Sequence, residues 1–139
     1  MLTQDQAQKL IETLKVAARE KSFRWDVGQR YDELFFSINE KDLQFIISLR
    51  RNPFEIRLHM RTKRDNIGLL RVDGAPFHAN PDGTELRDTP HLHVYREGYG
   101  LSWAEPIEWY SLNDPLKTLK HFLREANARF PSGFQLTLD

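Results

Sequence analysis

The residues best suited to chemistry are three histidines in the second half of the chain, His78, His91 and His93. His91 and His93 lie two residues apart in "HLHVYRE", which has the composition of a strand. Side chains alternate along a strand, so both imidazoles project from the same face, roughly 7 Å apart. At that spacing they can converge on one metal ion or one phosphate, and His78 lies in the proline-rich loop just before them.

Metal-free acid–base catalysis is one chemistry that fits these residues. Histidine titrates near neutrality, so one neutral and one protonated imidazole can serve as base and acid in phosphoryl transfer. Attack of an RNA 2′-hydroxyl on its own phosphate also needs a cation beside the non-bridging oxygens, for which Arg96 and Arg71 are candidates. Strand alternation places Arg96 on the face opposite His91 and His93 unless the strand bulges. The predicted catalytic residues are His78, His91, His93, Tyr95 and Arg96.

Metal binding is the alternative chemistry. Three histidines with an open fourth position form a recognised arrangement for catalytic zinc. Zinc or another divalent metal would then be bound by His78, His91 and His93, whereas the acid–base interpretation needs no cofactor. A purely structural role for His91 and His93 in their strand is a third interpretation.

A second group of candidates lies on a basic stretch. Residues 50–71 contain seven basic residues against two acidic ones, and in residues 54–62 the charged side chains alternate with apolar ones. Such a face can follow phosphates, although a solvated outer face of a sheet has the same pattern. Tyr99 and Trp103 are candidates for stacking on a base. The predicted substrate-binding residues are Arg57, His59, Arg61, Arg71, Asn80, Glu97, Tyr99 and Trp103.

The elements that must position these residues indicate an α+β fold. A capping box at Thr3 and Gln6 predicts a helix over residues 4–20, and Asn113 or Asp114 followed by Pro115 predicts a second helix that ends before Pro131. Short alternating segments between them predict a curled antiparallel sheet of about five to six strands with the C-terminal helix packed on it. Residues 74–90 read as a loop with a tight turn at residues 80–83, and residues 133–138 as a short edge strand. We expect a single domain over residues 1–139.

Composition limits the protein class. The 139-residue chain has no cysteine, which excludes disulfides, thiolate nucleophiles and cysteine-bound zinc. No apolar run approaches the ~18 residues of a membrane span, and the N-terminal stretch lacks the pattern of a signal peptide. We therefore expect a cytoplasmic protein that does not bind membranes; the sequence leaves the oligomeric state open. The net charge is zero, so any attraction for nucleic acid must be local.

The segments "APFHANPDG" and "HLHVYREGYGLSWA" resemble a family of small, uncharacterised bacterial proteins that are often found in prophage and other accessory regions. Its signature has the form P-x-H-x-N-P-D-G, followed by H-L-H-x-Y-R-E-G-Y-G-x-x-W-A. Ala75 stands where the family has the first proline of a pair. The resemblance implies that the three histidines and their polar neighbours form one site. The matching positions are Pro76, His78, Asn80, Pro81, Asp82, Gly83, His91, Leu92, His93, Tyr95, Arg96, Glu97, Gly98, Tyr99, Gly100, Trp103 and Ala104.

Three functions follow as hypotheses. The favoured one is a small RNA-directed endoribonuclease of toxin type that uses histidine acid–base catalysis without metal. The second is a non-catalytic inhibitor or adaptor, as in phage counter-defence or an antitoxin, that binds a partner protein through the aromatic loop at residues 95–110. The third is a hydrolase that depends on a histidine-bound metal. The expected partner is RNA for the first and a protein for the second.

Overall fold

The computed structural model describes residues 1–138, apart from the side chain of Phe23. This part of the chain contains two helices and twelve strands. In chain order they are α1 (Gln4–Glu12), β1 (Lys15–Ala17), β2 (Phe23–Trp25), β3 (Arg30–Ser37), β4 (Gln44–Asn52), β5 (Glu55–Thr62), β6 (Gly68–Asp73), β7 (Phe77–Ala79), β8 (Glu85–Arg87), β9 (His91–Val94), β10 (Ala104–Pro106), α2 (Pro115–Glu125), β11 (Ala128–Arg129) and β12 (Leu136–Leu138).

Eight strands form one large sheet in the order β10-β9-β6-β5-β4-β3-β1-β11. Its pairs are antiparallel except β1–β11, which is parallel. β2 pairs in parallel with β12, and β7 pairs with β8 as an antiparallel hairpin. The α+β class and the mostly antiparallel sheet are confirmed. The prediction of five to six strands was too low, because the additional strands have two or three residues and are too short for alternation to be visible.

The predicted N-terminal helix over residues 4–20 was wrong at its C-terminal end. The capping box of Thr3 and Gln6 is present, but α1 ends at Glu12, where Thr13 caps it. The following residues, Lys15–Ala17, pair with β3 instead. There Lys15 and Ala17 are buried, so tertiary pairing overrides the local helical pattern.

The C-terminal helix begins as predicted, with Asp114 as the N-cap and Pro115 in its first turn. It ends at Glu125, earlier than Pro131. Asn127, with a φ of 52°, then reverses the chain into β11, which runs beside β1. The short strand predicted near the C-terminus is confirmed as β12. Neither helix of the described residues is long and apolar enough to cross a membrane.

The core lies on one face of the large sheet. Alternate side chains of β3, β4 and β5 point to this face, and α2 contributes Leu119 and Phe122. The opposite face carries polar side chains on the same strands. Among the cross-strand neighbours on that face are Asp73 with His91, Arg71 with His93, and Arg50 with Arg57. The sheet thus holds the histidines of β9 and the basic residues of β4–β6 on one surface.

Candidate metal centre

Three imidazoles meet above β9. The ring centroids of His78 and His91 are 5.4 Å apart, those of His78 and His93 are 4.7 Å apart, and those of His91 and His93 are 5.1 Å apart. Each ring offers one nitrogen such that the three nitrogens lie within 4.8 Å of one another. His91 and His93 are almost fully buried, and His78 is half-buried. The predicted convergence of these side chains is therefore present in the structure.

Backbone carbonyls fix which nitrogen of His91 and His93 carries the proton. His91 Nδ1 lies 2.9 Å from the Thr89 carbonyl oxygen, and His93 Nδ1 lies 2.8 Å from the Leu101 carbonyl oxygen. A carbonyl accepts only, so both Nδ1 atoms must be the donors. In the neutral ring, Nε2 then keeps its lone pair. His91 Nε2 is buried without a hydrogen-bond partner among the described residues, which is costly unless a ligand occupies it.

His78 is fixed in the complementary way. Its Nε2 lies 3.0 Å from Asn80 Oδ1 and 2.9 Å from the Ser102 carbonyl oxygen. Asn80 Oδ1 also accepts from the Ala104 N–H at 2.8 Å, while its Nδ2 donates to the Ala104 carbonyl at 3.0 Å, which settles the orientation of the amide. His78 Nε2 therefore faces two acceptors and must donate, so the lone pair is on Nδ1.

The β7–β8 hairpin brings His78 to this position. The prediction of a loop over residues 74–90 missed these two short strands, but the tight turn at residues 80–83 is present, with the Gly83 N–H donating to the Asn80 carbonyl at 2.8 Å. Gly83 has a φ of +89°, a conformation that glycine adopts without strain. Asn80 then ties the hairpin to β10, beside β9.

This donor set fits a transition metal. Metal-bound histidines usually donate their second ring N–H to a carbonyl, a carboxylate or water, and all three histidines here donate to backbone carbonyls. Two nitrogens bound to one tetrahedral zinc ion lie about 3.4 Å apart, and the three ring nitrogens here already lie within 4.8 Å of one another. Burial also lowers the pKa of His93 to about 4, against the opposing effect of the Leu101 hydrogen bond. The ring is neutral at pH 7, as a metal ligand must be.

Tyr95 and Glu97 have structural contacts at the N-terminus of the chain. The Tyr95 hydroxyl is buried and donates to the Leu2 carbonyl at 2.6 Å. Glu97 Oε1 accepts from the Gln4 N–H at 2.7 Å, and Gln4 Oε1 accepts from the Glu97 N–H at 2.9 Å. Gln4 is the first residue of α1, so Glu97 satisfies a free donor of that helix. Neither residue contacts the three imidazoles through these interactions.

Arg96, Tyr99 and Trp103 form a separate surface cluster. The Arg96 guanidinium carbon lies 3.9 Å from the centroid of the Trp103 ring, and Tyr99 packs edge-on against the same ring at 5.8 Å. Tyr99 is half exposed. The structure therefore engages Arg96 with Trp103 and does not direct it to the imidazoles.

The predicted basic residues lie on the same face of the sheet as the imidazoles, and Arg71 is the one directly beside them. Arg71 is the cross-strand neighbour of both His93 and His59. Arg57, His59 and Arg71 line one cavity, and Arg71 also borders a second cavity with His78 and His93. Arg61 instead donates to Ser48 Oγ at 2.7 Å. Burial and the nearby charges of Arg61 and Arg71 lower the pKa of His59 to about 4.

Comparison with known proteins gives a family without an assigned activity. A family model described as a family of unknown function (DUF6978) matches residues 2–128. The chain belongs to this family. No curated protein and no solved structure matches the chain. The matched residues include α1 and the three histidines. Because the DUF6978 description assigns no function, the chemistry must be argued from the site itself.

Several groups at the DUF6978 site had no signal in the sequence. The carbonyls of Thr89, Leu101 and Ser102 accept from the imidazoles, but every residue has a carbonyl, so composition cannot single them out. Asp73 was also missed. It lies opposite His91 on β6, and the cross-strand register needed to find it comes only from the folded sheet.

Proposed function

We propose that this protein is a metal-dependent hydrolase in which His78, His91 and His93 hold one divalent transition metal ion, with zinc as the best fit. The observation that carries the proposal is the common hydrogen-bonding pattern of the three rings. Each donates one N–H to a backbone carbonyl, which leaves the other nitrogen with its lone pair.

The chain would perform two tasks at this centre. The carbonyls of Thr89, Leu101 and Ser102 hold the rings in orientation, and three protein ligands leave a fourth position open for water or substrate. A zinc ion held there would supply Lewis acidity and would activate a water molecule for attack. Arg71, beside His93, places a cation where an anionic substrate can meet it.

The metal-free ribonuclease remains a prediction, but the geometry supports it less well. Acid–base catalysis needs one protonated and one neutral imidazole. The three rings instead share one pattern, each with an N–H held by a backbone carbonyl, and Tyr95 and Arg96, which were to assist, have other contacts. A toxin or defence role in an accessory region is compatible with either mechanism.

Metal content tests the proposal. Protein stripped with EDTA and returned to zinc should retain one equivalent after dialysis, and the metal should raise its Tm by mass action. His78→Ala, His91→Ala and His93→Ala should each lose that equivalent. His121→Ala is the matched control, because His121 lies on α2 and stacks on Trp109.

Activity completes the test. Hydrolysis of an activated phosphodiester and of total RNA should disappear in EDTA and return with zinc. RNA cleavage that persists in EDTA and depends on His91 would replace the metal mechanism with the metal-free one. Failure of the native protein to retain zinc would overturn the proposal directly.

Capture of a partner protein is a second candidate, which rests on the cluster of Arg96, Tyr99 and Trp103. Aromatic and arginine side chains are enriched at the centres of interfaces. Tyr99→Ala would abolish capture of a specific partner while His91→Ala leaves it intact. The opposite pattern would exclude this surface as the docking site.

A further inference from the structure

A basic groove crosses the polar face of the sheet next to the histidines. It has a volume of about 370 Å³, and its walls come from β3, β4, β5 and β6. Its charged lining consists of four arginines and one aspartate, with the neutral His59 among them. These residues are Arg30, Arg50, Arg57, Arg71, Asp73 and His59.

The sheet register places like charges directly opposite one another in this groove. Arg50 is the cross-strand neighbour of Arg57 on one side and of Arg30 on the other. Neighbouring strands are about 4.8 Å apart, and like charges in directly opposed positions destabilise a sheet. Three arginines in one row therefore destabilise the sheet. A negatively charged ligand bound along the row would offset their mutual repulsion.

Local acids neutralise only part of the row. Arg57 pairs with Glu55 and Arg30 with Asp32, both through side chains that lie near in sequence. Arg50, the central residue, has no ion pair or side-chain hydrogen bond within residues 1–138. Arg71 Nε lies 3.5 Å from Asp73 Oδ2 but is buried without a hydrogen bond among the described residues. Arg50 therefore keeps its donors available for an incoming anion.

The groove and the candidate metal centre share the side chain of Arg71. Arg71 lines it and also lines an adjoining cavity of about 500 Å³, whose walls include His78 and His93. A ligand that follows the arginines from β3 to β6 would reach the imidazoles at Arg71. The row Arg30–Arg50–Arg57 lies on three adjacent strands and spans about 10 Å, which is longer than one phosphate group.

We propose that this groove binds the phosphate backbone of a single-stranded nucleic acid and delivers one phosphodiester to the three histidines. Planar guanidinium groups suit phosphate oxygens, and a row of them suits a repeating anion. Phe54, 84% exposed on the turn between the arginine-bearing strands β4 and β5, offers a ring for base stacking. The delivery step rests on the proposed hydrolase; binding in the groove does not.

Fluorescence anisotropy of a short labelled single-stranded RNA, and of the DNA with the same sequence, tests binding in EDTA. The variant is Arg50→Ala/Arg57→Ala, and the control with the same charge change is Arg64→Ala/Arg124→Ala, both of whose residues are exposed. The groove variant should bind at least about tenfold more weakly, and its slope of log K against log salt should fall by about 1.4 between roughly 50 and 200 mM. The control should match the native protein.

Competition identifies the class of ligand. A longer unlabelled oligonucleotide should displace the probe at far lower concentration than AMP, inorganic phosphate or polyglutamate. Equal displacement by AMP or phosphate would overturn a polymer site, and equal displacement by polyglutamate would indicate an acidic protein instead. Absence of binding by the native protein, or equal weakening in the control, would also reject the groove.

The result can be separated from that of the hydrolase. Binding is measured in EDTA, so it does not depend on whether the three histidines hold a metal. Thermal unfolding of the groove variant gives the check on folding, since removal of opposed like charges should keep or raise its Tm. If the native protein retains zinc but does not bind RNA, this inference alone is overturned. If the native protein binds RNA but does not retain zinc, only the hydrolase is overturned.

Discussion

His93 donates its Nδ1 hydrogen to the carbonyl oxygen of Leu101, 2.8 Å away, and this bond leaves the lone pair on Nε2 of a ring whose centroid lies 4.7 Å from that of His78 and 5.1 Å from that of His91. Leu101 can reach it because the loop after β9 bends sharply: Gly98 has a φ of +83° and Gly100 of +59°. The Leu101 side chain covers Gly68 of β6, where an added Cβ would lie 2.6 Å from Leu101 Cδ1. The loop is therefore anchored to the sheet while its backbone orients a ligand.

Asn80→Ala should weaken zinc binding without unfolding the protein. The substitution removes two hydrogen bonds to Ala104 and the one acceptor side chain beside His78. Loss of such a supporting group commonly lowers metal affinity by about 10- to 100-fold. Competition with a chromogenic chelator measures the affinity, and Asn113→Ala, an exposed position, is the control. Unchanged affinity would show that Asn80 does not position His78.

Glu97→Ala should destabilise α1 and leave substrate binding unaffected. The Glu97 carboxylate accepts from the first N–H of the helix, where the helix dipole also favours negative charge. We expect the free energy of unfolding to fall by about 1 kcal/mol, as for loss of an N-cap. Urea unfolding measures it, and Glu108→Ala serves as the exposed control. Lost RNA binding at unchanged stability would restore the substrate-binding role predicted for Glu97.

The strands and the paired histidines were predictable because their signals are local. Alternation in residues 54–62 identified β5, and the spacing of His91 and His93 placed both rings on one face. Pro115 located the start of α2 because proline suits the first turn of a helix. The position of His78 beside the other two rings could not be derived from the sequence. It depends on the Asn80–Ala104 hydrogen bonds, which join segments that are distant in sequence.

Lys15 shows the opposite case. Lys15 falls within the helix predicted over residues 4–20, and a lysine is normally exposed. In the structure it is fully buried, and its Nζ donates to the carbonyls of Ile11, Thr13 and Ala126 at 2.7–2.9 Å. These carbonyls lie at the ends of α1 and α2, which meet only after folding.

Lys15→Met should lower the free energy of unfolding by roughly 2–4 kcal/mol. Three carbonyls would lose their donor, and a buried acceptor without a partner carries the full cost of desolvation. Lys9→Met, which breaks an exposed ion pair with Asp5, should change the free energy of unfolding by no more than about 0.5 kcal/mol. Urea unfolding compares the two. Equal effects would mean that the Lys15 bonds add nothing beyond surface charge.

His59 should make the metal-free protein sensitive to mild acid. Its pKa is lowered from 6.5 to about 4 by burial and by nearby Arg61, Arg71 and Arg30. Between these values the unfolded chain binds the proton and the folded one does not, so stability falls as the pH falls from about 6.5 to about 4. Over this pH range the free energy of unfolding of His59→Gln should fall by roughly 1–3 kcal/mol less than that of the native protein. Urea unfolding at several pH values in EDTA measures the difference; parallel curves would refute it.

The pairing of β1 with β11 and of β2 with β12 has a consequence for synthesis on the ribosome. β1 and β2 leave the exit tunnel long before β11 and β12, the strands that pair with them. Until those residues emerge, β1 has one unpaired edge, β2 has no partner, and Lys15 lacks the Ala126 carbonyl. A nascent chain would therefore hold the central strands β3–β6 with an open sheet edge, a state that chaperones recognise and that favours aggregation.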